Sequence, residues 1–212
     1  METSFDAVII GAGPAGSAAA IWLARAGWSV ALVEKQAFPR RKVCGECMAA
    51  SNRPLLDALG IGAAFEDAAG PELRQVALMC GEHTLTADLP AAEHPGYAWG
   101  RALGRETLDT LLLEEALAAG AQVFQPWTVK ALEGGAGAWR CELRGADADT
   151  GLTLRAPVAI AEAELESLRR RIDATRWQER ETVDDWSQGP PLDAMQGLLE
   201  YWRDSYDWRA CE

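Results

Sequence analysis

Positive charge is what this 212-residue chain is short of: 20 Lys and Arg stand against 32 Asp and Glu, a formal net charge of −12. A protein that grips nucleic acid needs clustered cations to neutralise phosphates, so no nucleic-acid partner is expected. Long apolar runs are missing too. Nothing approaches the roughly 20 consecutive apolar residues of a transmembrane helix, so no transmembrane segment is expected. The N-terminus enters an apolar stretch almost at once, leaving no room for the charged region, apolar core and cleavage site of a secretory leader. Histidine is scarce, with His83 and His94 alone and at no metal-ligand spacing. The five cysteines are odd in number and follow no disulfide framework, which suits a reducing compartment and makes the cytoplasm the expected location. Cys44 and Cys47 have the spacing of a redox pair or half a zinc site, yet no second ligand pair accompanies them. No metal site is expected.

What is present begins at residue 5. The run FDAVIIGAGPAGSAAAIWLARAGWSVALVE carries an apolar strand (Ala7 to Ile10), a glycine-rich turn, a small-residue helix to about Ala26, and a second apolar strand (Val30 to Val33) ending on Glu34. This is the order and spacing of a dinucleotide-binding βαβ unit. Gly11 permits the tight turn, Gly13 lets the backbone approach a pyrophosphate, and Gly16 lets the helix pack closely on the sheet. Between them, Ala12, Pro14 and Ala15 complete the loop that presents helix N–H groups and a positive dipole to the phosphates. Glu34 lies about 20 residues on, where a carboxylate accepts hydrogen bonds from a ribose 2′-OH. Ser17, just after the loop, suits capping or packing better than nucleophilic chemistry, which needs a His and an oriented acid nearby.

Farther along, residues 35–53 combine basic side chains with two cysteines and read as a functional loop. In it Arg40, Arg41 and Lys42 suit either phosphate contact or a solvated charge run. A short helix is expected over 54–59 and a hairpin over 76–89, turning at Gly81-Glu82. Residues 105–119 form a helix with Leu108, Leu111, Leu112, Ala116 and Ala119 on one face and Gly120 as its stop. Strands are expected over 121–132, 138–144 and 152–160, the makings of a meander. Beyond residue 160 the chain turns helical and Trp-rich, with one helix over 163–174 and a stripe of Leu192, Met195, Leu199, Trp202 and Tyr206 in another. Trp177, Trp186, Trp202 and Trp208 are more apolar area than two helices can hide, so this tail should dock on its own domain or on a partner chain. Asp184 and Asp185 are adjacent and read as turn or capping groups rather than paired acid and base.

Residues 5–34, FPRRKVCGE, and GRALGRETLDTLLLEEALAAGAQV together resemble the FAD-dependent oxidoreductases of the geranylgeranyl reductase and p-hydroxybenzoate hydroxylase type, over about residues 1–158. The resemblance implies an α/β, Rossmann-like FAD/NAD(P)-binding βαβ domain with a β-meander, followed by the helical tail. It implies that the glycine loop and Glu34 hold the ADP half of FAD, that Cys44, Gly45 and Glu46 lie toward the flavin, and that Arg105, Leu108 and Asp109 open a cofactor-contacting helix. Lys35, Arg41 and Val129 join the implied cofactor-binding set, with NAD(P)H as a candidate electron donor and a hydrophobic small molecule as substrate.

The family's later Asp-Gly and Gly-Asp motifs are not found, so the domain reads as incomplete. Residues 157–212, with ELESLRRRI, ATRW, ETVDDWSQG and LLEYWR, are similar instead to the N-terminal segment of microsomal-type epoxide hydrolases, here without the nucleophilic Asp, His and tyrosines of the hydrolase domain. The chain therefore reads as two incomplete pieces joined near residue 158. Its expected activity is that of an FAD-binding reductase or monooxygenase. The alternatives are a non-catalytic nucleotide-binding or interaction module and an epoxide-hydrolase-related fragment without hydrolase activity.

Overall fold

A computed structural model describes residues 2–42, 46–93, 96–146 and 150–161, together with isolated positions at 175, 192, 196, 197 and 199–201. The chain divides into two compact units, Met1–Ala161 and Glu162–Glu212. Expectations for the tail fall almost wholly outside the described residues: the 163–174 helix, Asp184, Asp185 and the four tryptophans are not among them. Of the second expected helix, Leu192, Leu199 and Tyr201 are described, with helical backbone.

Two strands with four apolar residues each organise the first unit. β1 (Glu2–Ser4) leads into β2 (Ala7–Ile10), which passes through the glycine turn to α1 (Pro14–Arg25) and returns as β3 (Val30–Val33). β2 and β3 pair in parallel, and every residue of β3 is buried. A strand covered on both faces needs apolar side chains at consecutive positions, which is why neither alternates with polar residues. Their side chains divide by the period of two. Ile9 and Leu32 join one core with Ile21 of α1 and Leu108 and Leu112 of a later helix. Val8, Ala31 and Val33 join a second core with Cys141, Leu143 and Leu154.

After β3 the chain forms β4 (Cys47–Met48), α2 (Arg53–Leu59), α3 (Gly62–Ala68) and β5 (Glu72–Leu73). The hairpin follows as β6 (Gln75–Cys80) and β7 (His83–Asp88), turning at Gly81 with φ +57°, and leaves Leu78, Met79 and Leu85 exposed. β8 (Gly100–Ala102) pairs with both β4 and β5. Glu66 of α3 bridges Arg53 and Arg101, fastening α2, α3 and β8 together. α4 (Arg105–Ala118) then packs beside α1, and Gly120 ends it at φ +105°. Of the expected face Leu108, Leu112 and Ala116 are buried while Leu111 and Ala119 are partly so; Leu113 is buried as well, and so is Asp109, at 1% exposure.

Two of the expected strands are each two strands. Residues 121–132 contain β9 (Gln122–Phe124), parallel to β3, and β10 (Thr128–Gly135), antiparallel to β11 (Ala138–Arg144). Residues 152–160 contain β12 (Gly151–Ala156), which pairs with β11 and β1, and β13 (Val158–Ala161), which pairs with β2. The chain changes layer at Pro126 and Pro157, where proline contributes no N–H to a ladder. Apolar residues stand on both sides of each break, Val123 and Phe124 before Trp127 and Val129, and Leu154 and Ala156 before Val158, so apolar pattern alone runs through it. The result is a parallel sheet in the order β13-β2-β3-β9 with helices on one face and the β1-β12-β11-β10 sheet on the other. This is the Rossmann-like α/β architecture expected.

Candidate functional site

The site grows out of the turn between β2 and α1. Gly11 takes φ +101°, a left-handed conformation that side chains disfavour, while its N–H donates to the Val33 carbonyl at 2.8 Å. At Gly16 a Cβ would stand 1.9 Å from the Gly11 carbonyl oxygen, so the fold itself requires glycine there. Gly13 is different. Its backbone is extended with φ −71°, and a Cβ would meet nothing closer than Arg105 Nη2 at 3.7 Å, an ordinary contact. The fold does not demand glycine at 13, and Arg105 Nη2 stands within van der Waals reach of the position that a side chain would take there. Pro14 opens α1, no side chain caps its N-terminus, and its first turn holds no acidic residue. The first N–H groups of the helix and its dipole therefore remain for an anion. Ala15 is exposed beside them, and Ala12 is fully buried. Ser17 is also fully buried; its Oγ donates to the Ala12 carbonyl at 3.1 Å, which fixes it as a brace of the loop.

Four charged side chains enclose this loop. Glu34, 4% exposed, accepts the Ala12 N–H on Oε2 and the Gln36 N–H on Oε1, both at 3.0 Å. Its backbone is clamped between the Phe124 carbonyl and the Trp127 N–H, at 2.9 and 2.8 Å. Arg40 Nη2 stands 3.6 Å from Glu34 Oε2 and 3.6 Å from Asp109 Oδ2. Asp109 in turn holds Arg105 in a two-point pair, Nε to Oδ1 at 2.7 Å and Nη2 to Oδ2 at 3.0 Å. Arg105 Nη2 returns to the open side of Gly13. The circuit thus runs from Ala12 through Glu34, Arg40, Asp109 and Arg105 to Gly13, and places two carboxylates and two guanidinium groups around the helix N-terminus. Charge-assisted hydrogen bonds of this kind are worth about 1.5–3 kcal/mol each. An ionised carboxylate has about four acceptor positions, so Glu34 retains capacity for sugar hydroxyls.

The remaining sequence-derived positions lie at varied distances from this circuit. Lys35 is exposed. Arg41 is turned to solvent, its side chain 95% exposed and 3.6 Å from Glu106, whereas its neighbour Arg40 is 13% exposed and inside the circuit. Cys44 and Gly45 fall outside the described residues. Glu46 has φ +56°, rare for a residue with a side chain, and its carbonyl accepts the Leu103 N–H at 2.9 Å. Its Oε1 would be 3.5 Å from a Cβ on Gly104, so it stands at the start of α4 beside Arg105. Val129 lies opposite Leu143 on β10 and packs into the second core, next to a register shift. Cys47 is exposed. Cys141 is fully buried, and burial pushes its thiol up to about 11. Among the described residues no group of three or more His, Cys, Asp or Glu could hold a metal ion, and no helix is long and apolar enough to cross a membrane.

Comparison with known proteins places these features in context. A family model described as FAD binding domain matches residues 4–186. Menaquinone reductase of Mycobacterium tuberculosis is 36% identical over 124 residues, 58% of this chain and 29% of its own length. A putative epoxide hydrolase of Stigmatella aurantiaca is 60% identical over 55 residues, 26% of this chain and 12% of its own. The chain spans less than a third of the length of either relative. Among solved structures, the myxobacterial chondrochloren halogenase CndH, a FAD-dependent halogenase, has a TM-score of 0.65 at 23% identity, covering 75% of this chain and 37% of that one. A geranylgeranyl bacteriochlorophyll reductase-like protein of Thermoplasma acidophilum has a TM-score of 0.62 at 23% identity, covering 78% and 41%. At these identities the structural likeness concerns the fold.

Proposed function

The chain belongs to the FAD binding domain family, its dinucleotide is FAD, and on that premise we propose that it serves a flavin-dependent reductase or monooxygenase acting on a hydrophobic small molecule. The observation that carries the reading is the uncapped N-terminus of α1 at Gly13, where the fold itself does not need glycine and Arg105 stands close by. The residues fit the cofactor. A pyrophosphate seated beside Gly13 and Arg105 would meet the uncapped end of α1, and the adenosine ribose would meet Glu34. When bound, FAD supplies the hydride or oxygen-transfer chemistry. The protein supplies position: Asp109 holds the Arg105 fork, Ala12 and Gln36 hold the Glu34 carboxylate, and Glu46 stands at the start of α4. We assign residues 1–158 to the dinucleotide-binding domain, and residues 159–212 to a helical segment related to epoxide hydrolases, without hydrolase chemistry of its own.

The reductase reading is supported by the identity shared with menaquinone reductase across more than half of the chain. A second reading is a non-catalytic nucleotide-binding module. Both readings require the nucleotide. Glu34→Ala removes the ribose acceptor and should weaken FAD and ADP alike by about tenfold to a hundredfold, as charge-assisted hydrogen bonds are lost. Calorimetric titration of the folded variant with FAD, ADP and NAD checks this, and unchanged affinity for all three would remove Glu34 from the site.

A further inference from the structure

Away from the glycine loop, a single acid joins two arginines. Glu66 stands in the second half of α3, where the helix dipole disfavours a carboxylate, and both of its oxygens are taken, Oε1 by Arg53 and Oε2 by Arg101. Arg101 also closes the end of that helix, donating to the carbonyls of Glu66 at 3.1 Å, Ala69 at 2.9 Å and Gly70 at 2.6 Å, while the Gly70 N–H returns to the Ala102 carbonyl at 2.9 Å. Arg53, 6% exposed, donates to the Trp99 carbonyl at 3.1 Å and stacks on the Tyr97 ring, 4.2 Å from guanidinium carbon to centroid. The stretch from Tyr97 to Ala102 is thereby tied to α2 and α3 by groups that converge on one carboxylate.

This stretch leads directly into the site. From Arg101 the chain passes through the buried Leu103 to Gly104 and Arg105, and the Leu103 N–H donates at 2.9 Å to the carbonyl of Glu46, the residue before β4. β4 lies on the same anchor, Met48 opposite Arg101 and Cys47 opposite Ala102, so near that a Cβ on Gly100 would stand 2.5 Å from the Met48 carbonyl oxygen. From this geometry, and resting on the dinucleotide reading above, we propose that Glu66 is a positioning residue for Arg105: by joining Arg53 to Arg101 it sets where β8 delivers the start of α4, and so sets nucleotide affinity without meeting the nucleotide. Asp109 orients the Arg105 fork at its tip, and Glu66 fixes the backbone from which that side chain starts. A donor whose base moves by about 1 Å loses most of a hydrogen bond. Glutamine at 66 keeps the shape of the acid and removes its charge, which leaves two guanidinium groups without the carboxylate they share.

The test is a double-mutant cycle on the full chain, read by calorimetric titration with ADP well below each variant's unfolding midpoint. Arg105→Met should weaken ADP about 10- to 100-fold and Glu66→Gln about three- to tenfold. In the Arg105→Met background Glu66→Gln should add no more than about twofold, because the group it positions is gone. Leu154→Ala, a cavity in the second core, supplies a destabilised control that should keep ADP within about twofold of wild type. Arg101→Lys keeps a cation for Glu66 and loses the fork on the Ala69 and Gly70 carbonyls, so it should also weaken ADP in wild type and not in the Arg105→Met background; it replaces Glu66→Gln in the cycle should that variant fail to fold. Losses that multiply in the combined variant, a control that loses as much as Glu66→Gln, or ADP affinity unchanged in both Glu66→Gln and Arg101→Lys would each overturn the proposal while the wild-type chain still binds ADP. A wild-type chain that binds neither ADP nor FAD would instead refute the dinucleotide reading, and this inference with it.

Discussion

Replacing Gly13 and Gly16 one at a time separates what the loop needs in order to fold from what it needs in order to bind. A methyl at 16 would sit 1.9 Å from the Gly11 carbonyl oxygen and 3.1 Å from its carbon. Both are backbone atoms, so relief requires moving α1 off β2, and with it the contacts of Ile21 and Ala20 in the first core. Overpacking that displaces a backbone costs about 3 kcal/mol or more, a large part of the stability of a domain this size. A methyl at 13 meets only Arg105 Nη2 at 3.7 Å, on backbone that any residue adopts. Its effect on stability should stay within about 1 kcal/mol. Yet that methyl occupies the space assigned to the pyrophosphate, so ADP and FAD should bind at least about tenfold more weakly, a cost of about 1.4 kcal/mol or more. Urea unfolding of Gly13→Ala and Gly16→Ala measures the first pair of effects, and calorimetric titration with ADP the second. Gly13→Ala that binds ADP like wild type would refute the placement of the ligand. Gly16→Ala as stable as wild type would refute the packing argument.

Asp109→Ala strips the buried acid from Arg105 and Arg40 and should lower unfolding stability by about 3 kcal/mol, the usual scale for breaking a buried ion pair; Asp109→Asn should cost less, and thermal unfolding compares them. Cys141, fully buried with its thiol pushed up to about 11, should resist alkylation in the native chain at pH 8 while exposed Cys47 reacts, which peptide mapping after brief iodoacetamide treatment would show. The same shift carries a sign. The folded chain keeps the Cys141 proton above the ordinary thiol range where the unfolded chain loses it, so this group makes stability fall as pH rises from about 9 toward 11.

The parallel strands were legible because burial on both faces forces an uninterrupted apolar run. Ala7–Ile10 and Val30–Val33 stand where pattern puts them, and Ala138–Arg144 likewise. Pattern did not separate β9 from β10 or β12 from β13, since apolar residues such as Phe124 and Trp127, or Ala156 and Val158, stand on both sides of each change of sheet. The prolines at 126 and 157 are the signal that marks those breaks. In the site, the glycines and Glu34 could be assigned by spacing because each has a separate geometric task. Arg40 could not be told from Arg41, as adjacent cations differ only in which one the chain turns inward toward Glu34 and Asp109. Asp109 lies on the apolar face of α4, where period alone predicts a hydrophobic residue, and only the Arg-x-x-Leu-Asp resemblance singled it out.

Titration of the wild-type chain with FAD, followed by flavin absorbance and fluorescence with ADP as competitor, tests the central claim most directly. The account predicts saturation at one FAD per chain, full displacement by ADP, and dissociation constants for the two ligands within about tenfold, about 1.4 kcal/mol, because the Gly13, Glu34 and Arg105 circuit addresses the adenosine diphosphate half. No saturable uptake of FAD, or uptake that ADP does not displace, would contradict it.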